Sequence, residues 1–488
     1  MDYHALIEIL ACLSSASLHF GSGIVVGFGA ILVPQLEHSE SEIKVSTEDI
    51  SWIVSIVPLM VPLGSILTGY LVDKIGRLNT LRASTIPYVT GWICIALAHN
   101  FTVLLVGRML TGFSLGLACN PSVVYISEVA RPQYRSTLIC MAVSLASLGI
   151  IVVYTKGAYL DWRFISWTSI SYCILPLLFM FLLCPESPAW LISKGRTEKA
   201  LKSLTYLHQR ARKTGLAEQR LEELVQEHRR KQRQANQTGS GFGVFRGFIK
   251  PTGYKPALLL SAVFTFQQFT GIYITIYYSV SFLKTVGTSV DPYISTVAVG
   301  LVRLVMGILT SVLLNKFGRR TLFMVSGVGM SIFIFISGYY TKEITQGHME
   351  KNVVPVICIM IYISVGVIGF MSIPWTMTAE LFPIEIRGVA QSLMMSYVNL
   401  VTFGVLKVYP FMDKMMGSYG VQWLFSGCTL VATMFIFVFL PETRNKTLSE
   451  IQDYFENNTI YLLHKENPTN RTDVMETVGE SVKLREPV

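Results

Sequence analysis

The chain has 488 residues, 51% of them hydrophobic and 15% charged, with a formal net charge of +9 and a mean hydropathy of +0.49. Soluble domains carry about 25% charged residues, so this balance excludes an ordinary soluble domain and points to a membrane protein. The positive charge reads as a topology signal and not as a nucleic-acid footprint, so nucleic acid is not an expected partner; the lipid bilayer is.

Twelve apolar stretches are long enough to span a bilayer, at about 9–34, 52–72, 80–98, 104–126, 138–160, 164–184, 257–284, 292–314, 321–341, 353–378, 389–412 and 421–440. Their length, and the absence of an alternating ten-residue pattern, predict an all-α membrane protein with twelve transmembrane helices and not a barrel. The first stretch is span-length with no basic flank before it, and is read as a retained signal-anchor. With both termini on the cytoplasmic side, the loops 73–82, 127–137, 185–256, 315–320 and 379–388 and the tail from Pro441 hold most of the Lys and Arg, as the positive-inside rule requires. The cysteines 12, 94, 119, 140, 173, 184, 358 and 428 lie in or at spans without metal-ligand or Cys-x-x-Cys spacing. They read as apolar packing residues, with no disulfide, no metal and no cofactor expected.

Taken in order, the first span places Gly23 and Gly27 on one face for close helix approach, and carries His19, read as a satisfied bundle histidine sooner than a proton site. The loop after the second span turns at Gly76 and presents Arg77. In the fourth span Arg108, Gly112, Gly116 and Asn120 recur every four residues, a small-and-polar stripe expected to face the bundle interior. Glu128 and Arg135 flank the turn that follows. The stretch 185–256 is a cytoplasmic insertion: Ser187-Pro188 is a helix-start pair, and Leu201, Leu204 and Leu207, then Leu221, Leu224 and Val225, mark two amphipathic helices. The basic run from His228 reads as a solvated linker, and the tail is expected to be disordered beyond about residue 456.

The chain also repeats itself. Gly76-Arg77 returns as Gly318-Arg319-Arg320, Glu128 and Arg135 return as Glu380 and Arg387, and Pro185-Glu186-Ser187 returns as Pro441-Glu442-Thr443. Two six-helix halves are therefore expected, 1–184 and 257–440, joined by the linker 185–256 and followed by the tail 441–488.

The stretch 267–279, QQFTGIYITIYYS, stands apart. Gln267 and Gln268 sit inside an apolar run with Gly271 one turn later, and an unpaired amide in hydrocarbon costs several kcal/mol. Paired polar groups beside a breakable turn fit the discontinuous helix of a transporter; the bland alternative is that the amides tie neighbouring helices together. Arg303 lies fifteen residues before Gly318, near mid-bilayer, with no Asp or Glu in any span at that depth. The lack of an intramembrane acid argues for passive transport. No nucleophile–base or metal set suggests an enzyme.

GRMLTGFSLG with PSVVYISEV and Arg135, PESPAWLISKGR, QQFTGI with YYS, IPWTMTAELFPIEIRG, PETRNKTLSEI and the two Gly-Arg loops together resemble the sugar-porter branch of the major facilitator superfamily over about residues 9–455. Within it, STEDISWIVSIVPLMVPLGS and GRLNTLRASTIPYVTGWI are similar to insect facilitated trehalose transporters. The resemblance implies the major facilitator fold, sugar uniport by alternating access in the plasma membrane, and a monomer as the working unit. It implies that Gln267, Gln268 and Asn399 bond a sugar whose C–H surface meets Trp375, Tyr273 and Tyr277. It implies a cytoplasmic gate of Arg77, Glu128, Arg135, Glu186, Arg319, Arg320, Glu380, Arg387 and Glu442, whose ion pairs hold the halves together when the pore faces outward. The chain departs from the family pattern at Tyr273, Leu78, Ala189, Asn315, Val398-Asn399 and Arg303, where an amide is usual. Arg303 leaves organic-anion transport open, and a non-transporting sensor and a proton-coupled symporter are the other readings.

Topology is directly testable. Cysteines introduced at Ser46 and Thr345 are expected to react with an impermeant thiol reagent from outside intact cells, and one at Thr238 is not. Labelling at Thr238 would overturn the two-half arrangement.

Overall fold

A computed structural model describes residues 6–38, 42–207, 215–238, 247–383, 386–444, 446–458 and 461. Among them, nine helices are long and apolar enough to cross a membrane. The other three expected spans have physical reasons for escaping such a count. Helix α4 (Arg77–Ala96) carries arginines, an asparagine and several hydroxyls. The seventh span is broken into pieces, and the last two run together across Gly417, whose φ of 71° and ψ of 162° mark the corner between them.

The first half consists of α1 (Leu6–Ala16), α2 (Leu18–Leu36), α3 (Thr47–Ile75), α4, α5 (Phe101–Val129), α6 (Pro132–Gly157) and α7 (Trp162–Leu183). Its helices start where short polar side chains satisfy the first backbone N–H groups. Ser46 and Asp49 form a reciprocal capping box, Asn100 accepts from the N–H of Val103 and Asp161 from that of Arg163. Glycines then bring backbones together. A Cβ on Gly23 would lie 1.9 Å from the Ala146 carbonyl oxygen of α6, and one on Gly116 would lie 2.3 Å from that of Val61 in α3. The expected stripe on α5 is buried at Arg108, Gly112 and Gly116, but Asn120 is exposed, so it stops one turn early.

An insertion follows: α8 (Pro188–Ser193), α9 (Thr197–Leu207) and α10 (Leu216–Thr238). Trp190, Leu191, Ile192 and Ala200 form its core, with Leu221, Leu224 and Val225 packed against it, so the two amphipathic helices are present and α8 packs with them. The side chains of the basic run beyond Arg230 lie outside the described residues.

The second half contains α11 (Pro251–Phe269), α12 (Ile274–Tyr277), α13 (Ser279–Thr285), α14 (Pro292–Lys316), α15 (Arg319–Thr345), α16 (Val354–Gly366), a π-turn (Val367–Met371), α17 (Ile373–Glu380) and α18 (Arg387–Phe439). The halves meet where α3 packs on α18, α6 on α14, and α2 on α12 and α13. A last helix, α19 (Leu448–Asn457), docks on α11 with Ile451 and Phe455 buried, and Lys255 Nζ donates to the carbonyl of Asn458 at 3.1 Å. It starts at a capping box in which the backbone and hydroxyl of Thr447 hold the Glu450 carboxyl below its ordinary range. That contribution is present at neutral pH and is lost as pH falls through the lowered value. The tail expected to be disordered lies almost wholly outside the described residues. All eight cysteines are free thiols.

The glycine contacts set a prediction. Gly116→Ala pushes a methyl into the α3 backbone and is expected to cost about 1–3 kcal/mol, read as a lower melting temperature of the purified protein. Gly404→Ala, which meets nothing within 4 Å, is expected to leave it unchanged or slightly higher.

Candidate functional site

Two places gather polar groups: the end of the bundle bearing the Gly-Arg loops (the loop end) and the middle of the spans.

At the loop end one device is built twice. Arg77 presents its fork to Glu128, with Nε at 3.0 Å from Oε2 and Nη2 at 2.9 Å from Oε1, and Ser187 donates to the same carboxylate. In the second half Arg319 Nη2 reaches Glu380 Oε1 at 3.0 Å, and Thr443 donates to Glu380 Oε2 at 2.6 Å. Glu186 does not pair with an arginine side chain. Its Oε1 accepts from the backbone N–H groups of Arg77 and Leu78, both at 3.1 Å, capping α4. Glu442 does the same for Arg319 and Arg320 at 2.9 and 3.1 Å, capping α15.

This explains the glycines. A Cβ on Gly76 would fall 2.4 Å from a Glu186 oxygen, and one on Gly318 would fall 2.3 Å from Glu442 Oε2. Gly76 has φ of +104° whereas Gly318 has −66°, so the shared requirement is room for the carboxylate, not a shared torsion.

The resemblance gives these pairs the role of joining the halves when the pore faces outward. In this conformation, among the described residues, both partners of each pair lie in the same half. Arg135 and Arg387 take no carboxylate; they donate to the carbonyls of Ala130 (3.4 Å) and Phe382 (3.1 Å) at the ends of the preceding helices. Arg320 spends its side chain on the Phe437 carbonyl and lies over the rings of Phe437 and Tyr461. A pair that sequence reading missed ties α1 to the α5–α6 turn: Glu8, fully buried, takes Arg131 Nε at 2.9 Å.

In the middle of the spans, the seventh breaks between Phe269 and Ile274, with Gly271 at φ of +83° against the ring of Phe425. Only a residue without a Cβ fits there. Gln267 and Gln268 end the first piece and are fully buried. Gln267 donates to the Phe370 carbonyl in the π-turn, Gln268 Nε2 lies 3.4 Å from Gln267 Oε1, and Gln268 Oε1 is enclosed without a partner. Tyr362 fastens the break by donating to the Thr270 carbonyl at 2.6 Å.

Around this break stand most of the expected residues. Trp375 is half-buried, its ring 5.0 Å from that of Phe264. Arg303 is half-buried with Nη1 enclosed and unpartnered, and its electrostatic neighbours are Tyr273, Tyr154 and Tyr277. Asn399 is half-buried and commits Nδ2 to the Met395 carbonyl of its own helix at 2.8 Å, which leaves its side-chain oxygen. Three contributors were missed. Tyr154 donates across the halves to the Ile276 carbonyl at 2.7 Å. Arg108, fully buried, donates to the carbonyls of Val25 and Ile53, keeps Nη2 unpartnered, and has Tyr277 as a neighbour. The π-turn supplies Phe370; Gly366, Gly369 and Pro374 around it were its only signal. His19 is buried with Nδ1 unpartnered, apart from these groups on α2.

The site therefore offers two amides, an orphan acceptor, two orphan guanidinium donors and several aromatic faces, which suits a ligand rich in hydroxyl groups. Among the described residues, contacts crossing between the halves lie toward the end opposite the loops: Tyr154 on Ile276, the Trp52 and Phe403 rings at 5.9 Å, and Lys407 Nζ 3.8 Å from the Trp52 ring centroid.

The loop-end geometry separates two roles. Glu128→Gln strips the Arg77 fork of its charged partner and is expected to cost roughly 1–2 kcal/mol, read as a lower melting temperature. Arg135→Gln, which loses one long bond to a carbonyl, is expected to cost less; the reverse order would give Arg135 a partner beyond its own half.

The family model described as "Sugar (and other) transporter" matches residues 9–455. The facilitated trehalose transporter Tret1 of Apis mellifera ligustica is 33% identical over 453 residues, covering 92% of this chain and 88% of the relative. Tret1 of Drosophila pseudoobscura pseudoobscura is 32% identical over 447 residues, 90% of this chain; the chain spans about half (50%) of that relative's length. In structure, the inward-open conformation of the xylose transporter XylE from E. coli superposes with a TM-score of 0.72 at 22% identity, over 92% of this chain and 99% of that one. XylE bound to 6-bromo-6-deoxy-D-glucose gives 0.67 at 24% identity, over 93% and 100%. At such identities the likeness carries the fold: two six-helix halves of the major facilitator type. The chain belongs to the sugar transporter family.

Proposed function

We propose that the chain is a facilitative uniporter of small sugars, trehalose or a close relative, working by alternating access as a monomer in the plasma membrane, and not an enzyme. The observation that carries this reading is the broken seventh span, where Gln268 Oε1 is enclosed without a partner and Tyr273 neighbours Trp375 and Arg303, whose Nη1 is also unpartnered. A sugar hydroxyl donates to Gln268 Oε1 and accepts from Arg303 Nη1, while its C–H surface lies on the aromatic rings. Asn399 and Tyr277 complete the proposed site.

In this reading the loop end and both termini are cytoplasmic, and the halves 1–184 and 257–440 rock about the site, with 185–256 as linker and 441–488 as tail. The contacts at the opposite end then close the outer side, so the conformation faces inward, as in the XylE structure with the higher TM-score. Each Arg–Glu pair braces its own half. The proposed gate acts when the half-exposed faces of Arg77, Glu128, Arg135, Arg319, Glu380 and Arg387 meet across the closed cytoplasmic end. Among the described residues Arg108 meets carbonyls, the Phe28 ring and Tyr277, and Arg303 meets tyrosines, with no carboxylate beside either, which supports uniport without a proton.

Those same two arginines support a second reading, in which the solute bears a carboxylate. Radiolabelled uptake decides. Trehalose uptake is expected, insensitive to an ionophore that collapses the proton gradient, and reduced at least about tenfold by Gln268→Ala. Collapse of uptake by the ionophore would replace uniport with symport. In Arg303→Gln, at equal surface expression, loss of glucuronate uptake with gain of trehalose uptake would establish the anion reading. An unchanged preference leaves Arg303 a structural donor.

A further inference from the structure

The internal repeat supplies its own control, and the two loop-end devices differ in how they are covered. In the first half the loop-end device is covered. Asp73 sits 3.7 Å from Arg77, and α8 follows Ser187 directly. Trp190 of that helix donates to the Asp73 carbonyl at 3.0 Å, with its ring 3.3 Å from where a Cβ on Gly76 would be. In the second half the residue matching Asp73 is Asn315, and no helix begins directly after Thr443. Arg444 and Lys446 stand there instead. Beside the second device lies an open cavity of about 430 Å³, lined by Asn315, Arg319, Glu380, Arg387, Arg444 and Lys446 and walled on one side by α19.

The lining carries four cations and one carboxylate. Glu442 lies behind it on the backbone N–H groups of Arg319 and Arg444, Glu450 neighbours Lys446, and Glu380 already takes both Arg319 and Thr443, so the lining itself stays cationic. Donor capacity remains. Arg319 Nε is enclosed without a partner, Arg387 uses Nε and Nη2 on Phe382, and Arg444 has Nη2 on the Asn315 carbonyl at 3.3 Å. We infer that this cavity binds a phosphate group, held by the forks of Arg387 and Arg444 with Lys446 as a further charge. A phosphate carries up to two negative charges and several acceptor oxygens around one centre, which matches convergent guanidinium groups; one carboxylate would leave the cavity net positive. The phosphate comes from a free anion or from a lipid headgroup, since the chemistry is shared. The cavity has no residue in common with the mid-span site, so it is a second site on the protein. Its occupant bridges the ends of α14 and α18 to α19.

The test uses the purified full-length chain with inorganic phosphate as probe, followed by calorimetry, and by hydrogen exchange across 448–457. Saturable binding is expected, with slower exchange in α19. The double variant Arg444→Gln/Lys446→Gln is expected to bind at least about tenfold more weakly, whereas Lys199→Gln/Lys202→Gln, two exposed charges on α9, binds as before. Asn315→Asp restores the carboxylate that the first half has. It is expected to weaken phosphate binding several-fold while keeping the melting temperature, so misfolding is not the cause. Native mass spectrometry with phosphatidylserine or phosphatidylcholine separates the sources: retention of phosphatidylserine that is lost in the double variant assigns a lipid headgroup, and phosphate binding alone assigns the free anion. Absence of binding by both probes, or binding unchanged in both Asn315→Asp and the double variant, overturns the inference.

Discussion

The structure depends on a carboxylate set down on the first N–H groups of a helix, next to an arginine that another carboxylate holds. Glu186 on α4 and Glu442 on α15 each satisfy two backbone donors that a helix start leaves open. Beside them Arg77 with Glu128, and Arg319 with Glu380, pin the start of one helix to the end of another. Each network joins three separate stretches of its half, and the Ser187 or Thr443 hydroxyl completes it. Single half-exposed pairs contribute about 1 kcal/mol or less, but these share partners, so their effect is to fix geometry across the whole loop end of a half. In the proposed function a half braced in this way moves as one body.

Rigid halves make the mid-span groups meaningful. The break at Gly271 is held by Tyr362, Gln267 and the π-turn, all within the second half. The first half contributes Tyr154 and Arg108, the latter with no carboxylate beside it. Buried guanidinium groups with unmet donors are costly in hydrocarbon, and in the proposed function they mark a site that water or solute fills.

Much of this was legible from residues alone. Span length gave the all-α membrane fold, the repeated Gly-Arg, Glu/Arg and Pro-Glu motifs gave its two halves, and the paired glutamines before Gly271 marked the broken helix. The Gly-Arg loops were visible as motifs, but not the reason for their glycines, because the carboxylate that needs the room comes from Glu186, more than a hundred residues away. The resemblance set the gate across the halves in the outward-facing state, and spacing along the chain identifies equivalent positions and not the partners each takes here. In this conformation Arg320 and Arg387 bond carbonyls of their own half. The Glu8 pair went unread because nothing local announces Arg131. Tyr154 and the π-turn carried no periodic signal, since their roles arise only when two halves are packed together.

The central claim is that each half moves as a unit while the halves exchange access. Spin labels at Asn79 and Gln133 report within the first half, Gln133 with Ser392 report across the loop end, and His99 with Gln346 report across the opposite end; all are exposed. Measured in liposomes with and without trehalose, the account predicts a fixed first distance while the two cross-half distances change in opposite senses. A first distance that shifts with sugar while the cross-half distances stay fixed would contradict it.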